Sequence, residues 1–339
     1  MHGNNKPVMK EGFSGLERVL VLEVARVTEA AAIAAARFRG RGNEKAADKA
    51  AVDAMRRELA NLSIRGTVVI GEGEMDEAPM LYIGEEVGTG KGPRVDIAVD
   101  PLEGTTICAK DMPNALAVIA LSEEGGMLHA PDMYMDKIAI GPGYPEGIID
   151  LDVSPAENLR KLAKFKGVGM EGINACILDR PRHAKLVEAV RAAGCGVRLI
   201  PDGDIAGVIW TTDPRQTGVD IYLGSGGAPE GVLAAAALRC IGGQMQGRLM
   251  PDDGEEGRKQ IERAKTMGIP DIKRKYSMRE MASGDVIFSA TGVTDGSLLA
   301  GVHIRGEFSE TETVVMRSAT GTVRRIKTTF RTLGHRAFI

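Results

Sequence analysis

Apolar residues recur at helical spacing in the first part of the chain and in short continuous runs further on. Their spacing over 16–38, a stretch that is also rich in alanine, predicts a long first helix. The glycine-containing stretch 40–43 breaks this helix, and a second helix is predicted over 46–59. The β-branched run at 67–70 and the apolar run at 95–99 each predict a buried strand.

Beyond about residue 170 the pattern becomes an alternation of strands and helices. Strands are predicted at 173–179, 196–200 and 220–227, and each is followed by a segment of helical character. This rhythm indicates βαβ units, in which parallel strands carry ligand-binding loops at their carboxyl ends. Further strands are predicted at 115–121, 286–290, 313–316 and 322–330, and further helices at 155–166 and 255–267. The pattern predicts an α/β protein with a change of module between residues 150 and 170.

The stretch Val-Asp-Ile-Ala-Val-Asp-Pro-Leu-Glu-Gly-Thr-Thr at 95–106 joins a predicted strand to a group of polar side chains. Pro101 lacks a backbone N–H and is expected to end the strand, which places Asp100 at its carboxyl tip. Glu103 follows after a turn, so its carboxylate can return to the same side as Asp100. Gly104 permits close backbone approach, and the two threonines after it can cap a helix whose N–H groups suit an anion. These groups suit metal-assisted phosphate chemistry, although an acidic turn that caps a helix is the alternative.

A second group of acids follows the predicted strand at 67–70. The loop carries four acids within six residues, spaced by glycines: Glu72, Glu74, Asp76 and Glu77. Because a strand followed by a carboxylate-rich turn occurs twice, we expect the two loops to form two walls of one cation site; a solvated acidic loop is the alternative. Asp48 lies in the first turns of the second predicted helix, where, taken alone, a favourable interaction with the helix dipole explains an acid better than a ligand role does.

Three loops at the ends of predicted strands carry groups that bind anions or hydroxyls. Arg180-Pro181-Arg182 places two guanidiniums at a strand-to-helix junction, an arrangement suited to phosphate. Asp202-Gly203-Asp204 offers carboxylates that can accept hydrogen bonds from sugar hydroxyls. The loop at 224–230 combines bare amides with an acid at a helix start. Ordinary capping explains each loop alone about as well as a binding role does, but the occurrence of all three at successive strand ends favours a binding site.

Composition narrows the class of protein. The chain has 339 residues and a net charge of −3, and this charge argues against nucleic acid as the main partner because phosphate backbones require a basic face. The four cysteines show no C-x-x-C spacing, which favours buried or free thiols over disulfides or zinc. No apolar run approaches the roughly 18 residues of a membrane helix, and the polar N-terminal stretch lacks a signal-peptide core. We expect a cytoplasmic protein without a membrane partner.

The Asp-Pro-Leu-Glu-Gly-Thr stretch at 100–105 resembles the signature of the lithium-sensitive, metal-dependent phosphomonoesterases, which include inositol monophosphatases and fructose-1,6-bisphosphatases. Further motifs are VVIGEGEMDEAPMLYIGEEVGTG, VDIAVDPLEGTT, APDMYM, RPRH, IPDGD and GGAPEG. Together they resemble the bacterial class II (GlpX-type) fructose-1,6-bisphosphatases over about 16–330. The resemblance implies the sugar-phosphatase fold, with alternating layers of helix and sheet. It also implies a metal-binding phosphatase domain at 1–166 and a sugar-phosphate-binding α/β domain at 167–335, whose last strands could pack back on the first.

The resemblance also implies roles for individual residues and a Mn²⁺ or Mg²⁺ cofactor. One metal would be held by Asp48 and Glu72, and a second by Asp100, Glu103 and Glu230. Thr105, Asp76 and Glu72 would form the catalytic group, with Thr105 orienting the attacking water. The substrate would contact Glu103, Gly104, Thr105, Tyr134, Arg180, Pro181, Arg182, Asp202, Gly203, Asp204 and Gly227. The chain departs from the family where Glu44 and Lys45 stand near a position that often carries lysine, and where Arg180 replaces a frequent lysine.

The expected activity is hydrolysis of the 1-phosphate of fructose-1,6-bisphosphate in gluconeogenesis. The main alternative is a dual enzyme that also cleaves sedoheptulose-1,7-bisphosphate. An inositol-type monophosphatase is a weaker alternative, because the arginine pair implies a second anion on the substrate. A non-catalytic sugar-phosphate sensor is weaker still, because all the proposed metal ligands and Thr105 are present. The resemblance suggests a homodimer or homotetramer.

Overall fold

The computed structural model describes residue 16, residues 18–73 and residues 80–331. Ten α-helices lie within these residues: α1 (Leu20–Ala36), α2 (Glu44–Leu59), α3 (Thr105–Ala109), α4 (Pro155–Lys166), α5 (Ala184–Ala192), α6 (Asp204–Trp210), α7 (Pro214–Thr217), α8 (Ala228–Ile241), α9 (Gly254–Thr266) and α10 (Met278–Met281). The same residues contain fourteen strands: β1 (Arg65–Ile70), β2 (Glu86–Val87), β3 (Arg94–Glu103), β4 (Leu116–Glu123), β5 (Tyr134–Ile140), β6 (Asn174–Leu178), β7 (Gly196–Ile200), β8 (Ile221–Gly227), β9 (Gln244–Met250), β10 (Lys275–Ser277), β11 (Val286–Gly292), β12 (His303–Arg305), β13 (Phe308–Arg317) and β14 (Thr322–Arg331).

The strands form two sheets. The first has the order β12-β13-β11-β4-β3-β1-β2, with β14 paired to β13. The second has the order β10-β9-β5-β8-β6-β7. Strand membership therefore changes between β4 and β5 and again between β10 and β11, so the chain leaves the first sheet, builds the second and returns. The division into two domains at residue 166 stays a prediction.

Alternation along the strands explains how helices and sheets stack. In β4, Ile119 faces one apolar cluster that contains α1 and α2, while Val118 faces another that contains α6 and α8. In the second sheet, Tyr222 belongs to the cluster with α8, and Leu223 belongs to a third cluster with α4 and α5. The layers thus run helix, sheet, helix, sheet, helix, which confirms the alternating α/β fold.

The α8 helix occupies the central layer. It contacts strands of the first sheet on one side and of the second sheet on the other. Its sequence suits this position, because an alanine run from Ala234 to Ala237 lets two sheets approach one helix closely, and all four alanines are buried. Gly231 serves the same purpose, since a Cβ there would lie 2.7 Å from Met135 Sδ. Sites carried by the first turn of α8 therefore lie between the two sheets.

The end of β3 differs from the prediction. Pro101 does not stop the strand, which continues to Glu103. The register with β4 is irregular here: Asp100 pairs with Val118, and the next pair is Glu103 with Leu116. Proline is tolerated at such a bulge because the ladder does not require its missing N–H. The threonines do not cap the following helix either, since α3 begins at Thr105 after Gly104 in the left-handed conformation.

Three strands of the second sheet were absent from the prediction: β5, β9 and the short β10. The segment 134–140 reads as polar at its start but forms β5, which lies between β8 and β9. Residues 244–250 form β9, with buried residues at every second position. All four cysteines are buried and unbridged. Within the ranges that the structure describes, no helix is both long and apolar enough to cross a bilayer.

Candidate active site

A cavity of about 440 Å³ collects most of the candidate residues. Its lining includes Asp48, Glu72, Asp100, Glu103, Gly104, Thr105, Tyr134, Arg180, Arg182, Asp202, Asp204, Gly227 and Glu230. Pro181 and Gly203 do not line it, although their neighbours on both sides do. Asp76 lies outside the described residues. Asp132 also lines the cavity and was not singled out from the sequence.

Sheet topology explains why these loops meet. Strands β1 and β3 are parallel neighbours, so the loop carrying Glu72 and the end of β3 carrying Asp100 reach the same edge. In the second sheet β6 is parallel to both β7 and β8, which brings Arg180, Asp202 and Gly227 to one edge as predicted. Strand β5 runs antiparallel to β8, and its first residue, Tyr134, therefore faces the last residue of β8.

The carboxylates of the first wall raise one another's pKa. Burial, followed by the charges of Asp48 and Glu230, raises the pKa of Glu72 to about 8. Burial and the charges of Glu230, Glu72 and Asp48 hold the pKa of Asp100 well above its usual range. The pKa of Glu103 is raised in the same way by burial and by Asp100. This part of the cavity therefore carries more negative charge than its own side chains neutralise.

Two buried carboxylate oxygens have no hydrogen-bond partner within the described residues. Glu103 accepts a hydrogen bond from the backbone N–H of Ile205 through Oε1, at 2.9 Å, but its Oε2 has none. Oε2 of Glu230 is likewise buried without a partner. Buried polar atoms rarely lack a partner, so each of these oxygens is suited to bind a ligand. Hard divalent cations such as Mg²⁺ and Mn²⁺ prefer oxygen ligands, so this all-carboxylate group fits them.

As placed, the side chains are not gathered into a finished metal-ligand set. In the described ranges no group of three or more His, Cys, Asp or Glu residues has the arrangement needed to hold an ion. The convergence of the acids on one cavity and the two unpartnered oxygens support metal binding, while the individual ligand assignments stay predictions.

A buried lysine stands behind the cavity and was not expected from the sequence. Lys137 Nζ donates to Asp204 Oδ2 at 2.6 Å, and the two side chains are 0% and 5% exposed. The positive charge of Lys137 also lowers the pKa of Glu230, against the larger effect of burial. The signal that could have revealed it is alternation: in β5, Met135, Lys137 and Ala139 share the inward face, where a lysine is exceptional.

The opposite wall carries the arginine pair. The guanidinium carbon of Arg182 lies 4.5 Å above the ring centroid of Tyr134, within the range of a cation–π contact. Arg180 Nη2 lies 3.6 Å from Asp202 Oδ1, and both side chains are partly exposed. Both arginines line the cavity, so two guanidiniums face the same space as the carboxylates.

Two glycines leave room for these charged groups. A Cβ on Gly226 would lie 2.1 Å from Asp204 Oδ2, and one on Gly227 would lie 1.9 Å from Glu230 Oε2. Both distances are impossible for real atoms, so a side chain at either position would displace a carboxylate. The two glycines at the end of β8 thus leave the space that these carboxylates occupy in the cavity wall.

The raised carboxylate pKa values predict how metal-free protein responds to pH. Glu72 has a pKa of about 8 in the folded chain and an ordinary value of 4.5. Between these values the folded state binds more protons than the unfolded state, so the free energy of unfolding falls as pH rises and levels off above about pH 8. Thermal unfolding of chelator-treated protein should show its melting temperature falling from pH 5 to pH 8. Glu72→Gln should reduce this slope, whereas Glu124→Gln at an exposed ion pair should not; equal slopes in all three proteins would contradict the prediction.

Comparison with known proteins identifies the family. The bacterial fructose-1,6-bisphosphatases encoded by glpX match residues 18–330. The protein named fructose-1,6-bisphosphatase 1 class 2 of Escherichia coli strain K12 is 47% identical over 322 residues, which cover 92% of this chain and 95% of that protein. Fructose-1,6-bisphosphatase class 2 of Shigella flexneri has the same identity and coverage. The resemblance carried by the sequence motifs is confirmed, and the chain belongs to the glpX-encoded family of bacterial fructose-1,6-bisphosphatases.

Proposed function

We propose that this protein hydrolyses the 1-phosphate of fructose-1,6-bisphosphate, giving fructose 6-phosphate and phosphate, with Mn²⁺ or Mg²⁺ as cofactor. The observation that carries the proposal is the composition of one cavity, which has a carboxylate group on one wall and two guanidiniums on the other. A sugar with a phosphate at each end matches both walls. The names of the E. coli and Shigella relatives support the same activity.

Phosphatases of this family are metal-dependent. In our proposal Asp48 and Glu72 hold one divalent cation, and Asp100, Glu103 and Glu230 hold a second. Bound cations would neutralise phosphoryl oxygens and make a water more acidic. Their charge would also relieve the repulsion that raises the carboxylate pKa values.

The protein's own groups then orient the reactants. Thr105, the first residue of α3, lines the cavity, and its hydroxyl is proposed to hold the attacking water. Asp76 is proposed as the acid that accepts a proton from that water, and Glu72 is proposed as the third member of the catalytic group. No serine, cysteine or histidine nucleophile is required, because water attacks phosphorus and the sugar oxygen leaves.

Binding of the far end of the substrate is assigned to the second wall. Arg180 and Arg182 supply positive charge for the 6-phosphate, which does not react but fixes the position of the sugar. Tyr134 supports Arg182 through its ring. Asp202 and Asp204 are proposed to accept hydrogen bonds from sugar hydroxyls, and of the two Asp204 is the more rigidly held because it is bonded to Lys137.

The test is phosphate release by purified protein from three substrates: fructose-1,6-bisphosphate, sedoheptulose-1,7-bisphosphate and inositol 1-phosphate. We expect release from the fructose ester with Mn²⁺ or Mg²⁺ and none after chelation. Comparable release from the sedoheptulose ester would identify a dual enzyme. Release from the inositol ester alone would contradict the role of the arginine pair. If the metal-loaded protein released phosphate from none of the three substrates, a non-catalytic sugar-phosphate sensor would be favoured. A dimer or tetramer in the cytoplasm stays a prediction.

A further inference from the structure

A buried histidine and serine lie directly behind Arg182. Arg182 donates through Nε to Ser225 Oγ at 3.1 Å and through Nη2 to the Ser225 carbonyl at 2.9 Å. The Ser225 N–H donates to Nε2 of His183 at 2.9 Å, and the His183 ring is only 4% exposed. Nδ1 of His183 lies 2.8 Å from the Leu178 carbonyl. These contacts form one continuous chain from the end of β6 to the cavity wall.

The contacts determine the protonation state of the histidine. The Leu178 carbonyl can only accept, so Nδ1 must carry a proton. The Ser225 N–H can only donate, so Nε2 must present its lone pair. His183 is therefore a neutral imidazole of one tautomer. Burial, and then the nearby charges of Arg182 and Arg180, lower the pKa of His183, which also favours the neutral ring.

The backbone around the ring is shaped to accommodate it. Gly224 has φ of +136°, and a Cβ there would lie 3.1 Å from His183 Nε2. A side chain at this position would be both strained and crowded against the ring. The site thus reserves space for the imidazole between β8 and the turn that carries Arg182.

We propose that Ser225 and His183 are positioning residues for the phosphate subsite at Arg182, and that they strengthen its binding of the far phosphate of the sugar. The inference rests on the proposed function. His183 holds the Ser225 backbone, and Ser225 holds the guanidinium against the Tyr134 ring. The contacts among the described residues use two of the five guanidinium N–H groups, which leaves three for a phosphate. A guanidinium held at two points loses little conformational entropy on binding, so its hydrogen bonds contribute more to affinity.

The test compares Ser225→Ala with wild type, using fructose 6-phosphate as a probe that carries only the far phosphate. Ser225→Ala removes the charge-assisted hydrogen bond from Arg182 Nε to Ser225 Oγ, so the guanidinium is held less firmly. Fructose 6-phosphate binding, measured by calorimetry on the metal-loaded protein, should weaken about tenfold. The KM for fructose-1,6-bisphosphate should rise similarly while kcat stays within about twofold, because the reacting end is untouched. A fall in kcat at constant KM, or unchanged fructose 6-phosphate binding, would overturn the proposal.

A double-mutant cycle separates positioning from general damage. In an Arg182→Met background, Ser225→Ala should have no further effect on fructose 6-phosphate binding. A full additive loss in that background would show that Ser225 acts by another route and would overturn the proposal. His183→Gln should shift binding in the same direction as Ser225→Ala, and if that variant does not fold, the serine cycle still decides. Because calorimetry needs no turnover, a wild type that binds fructose 6-phosphate but releases no phosphate would count against the proposed function alone.

Discussion

Replacing Asp100 by asparagine is expected to reduce phosphate release from fructose-1,6-bisphosphate by on the order of 10²–10³-fold, the cost typical of losing one electrostatic stabiliser. Asp100 lies at the bulge of β3 and faces the charges of Glu230, Glu72 and Asp48. Removing its charge would weaken the proposed metal site at its centre. Steady-state kinetics over a range of Mn²⁺ concentrations would measure the loss.

The same variant should become more stable when metal is absent. Asp100 is half-buried among like charges, so the neutral amide relieves both the desolvation penalty and the repulsion. A matched control is Asp53→Asn, since that carboxylate accepts from Lys49 on the exposed side of α2. The control should keep its activity and melting temperature. An Asp100→Asn protein with wild-type activity, or one destabilised without metal, would contradict the assignment.

Replacing Lys137 by methionine is expected to lower the free energy of unfolding by about 3–5 kcal/mol, the usual cost of leaving a buried charge without its partner. Lys137 and Asp204 are both buried, and their ion pair joins β5 to the start of α6. The loss should also reduce activity, because the Lys137 charge acts on Glu230 as well. Chemical denaturation would give the stability difference.

Two further variants make the Lys137 prediction specific. Lys137→Met combined with Asp204→Asn removes both charges and should recover much of the lost stability, although not the activity. Lys259→Met removes an exposed lysine that lies 3.9 Å from Glu255 and should change stability by less than about 1 kcal/mol. If Lys137→Met were no more destabilising than Lys259→Met, the buried pair would not have the role described.

Much of the fold could be predicted because most elements follow a simple period. The strand at 196–200 and the helix at 155–166 have the predicted bounds. The strand β5 was missed because its period-two pattern contains Lys137 on the buried side, and only tertiary pairing with Asp204 makes that position favourable. The prediction that β3 ends at Pro101 was wrong for a related reason. Proline ends a strand when only local chemistry is considered, but the bulge against β4 accommodates it.

In the candidate site, too, some residues could be predicted from the local sequence, whereas others depend on tertiary contacts. Loops such as 180–182 and 202–204 could be singled out because charged groups recur at the ends of successive predicted strands, although capping accounts for each loop taken alone. Ser225 and His183 lie within singled-out segments, the loop 224–230 and the RPRH motif, but their own roles were not predicted, because their meeting depends on which strands are neighbours. Sequence reasoning recovers the groups that face the substrate more readily than the groups that hold them from behind.

The return of the chain to its first sheet bears on when the protein can become active during synthesis. The wall bearing Asp100 and Glu103 belongs to a sheet whose β4 strand is paired on its far side by β11, at Val286–Gly292. Until that segment has left the ribosome, β4 presents an unsatisfied edge, and α8 lacks part of the apolar surface that it contacts. A chain that ends at Glu230 contains every proposed site residue but lacks the strand that pairs with β4, so we expect it to be inactive.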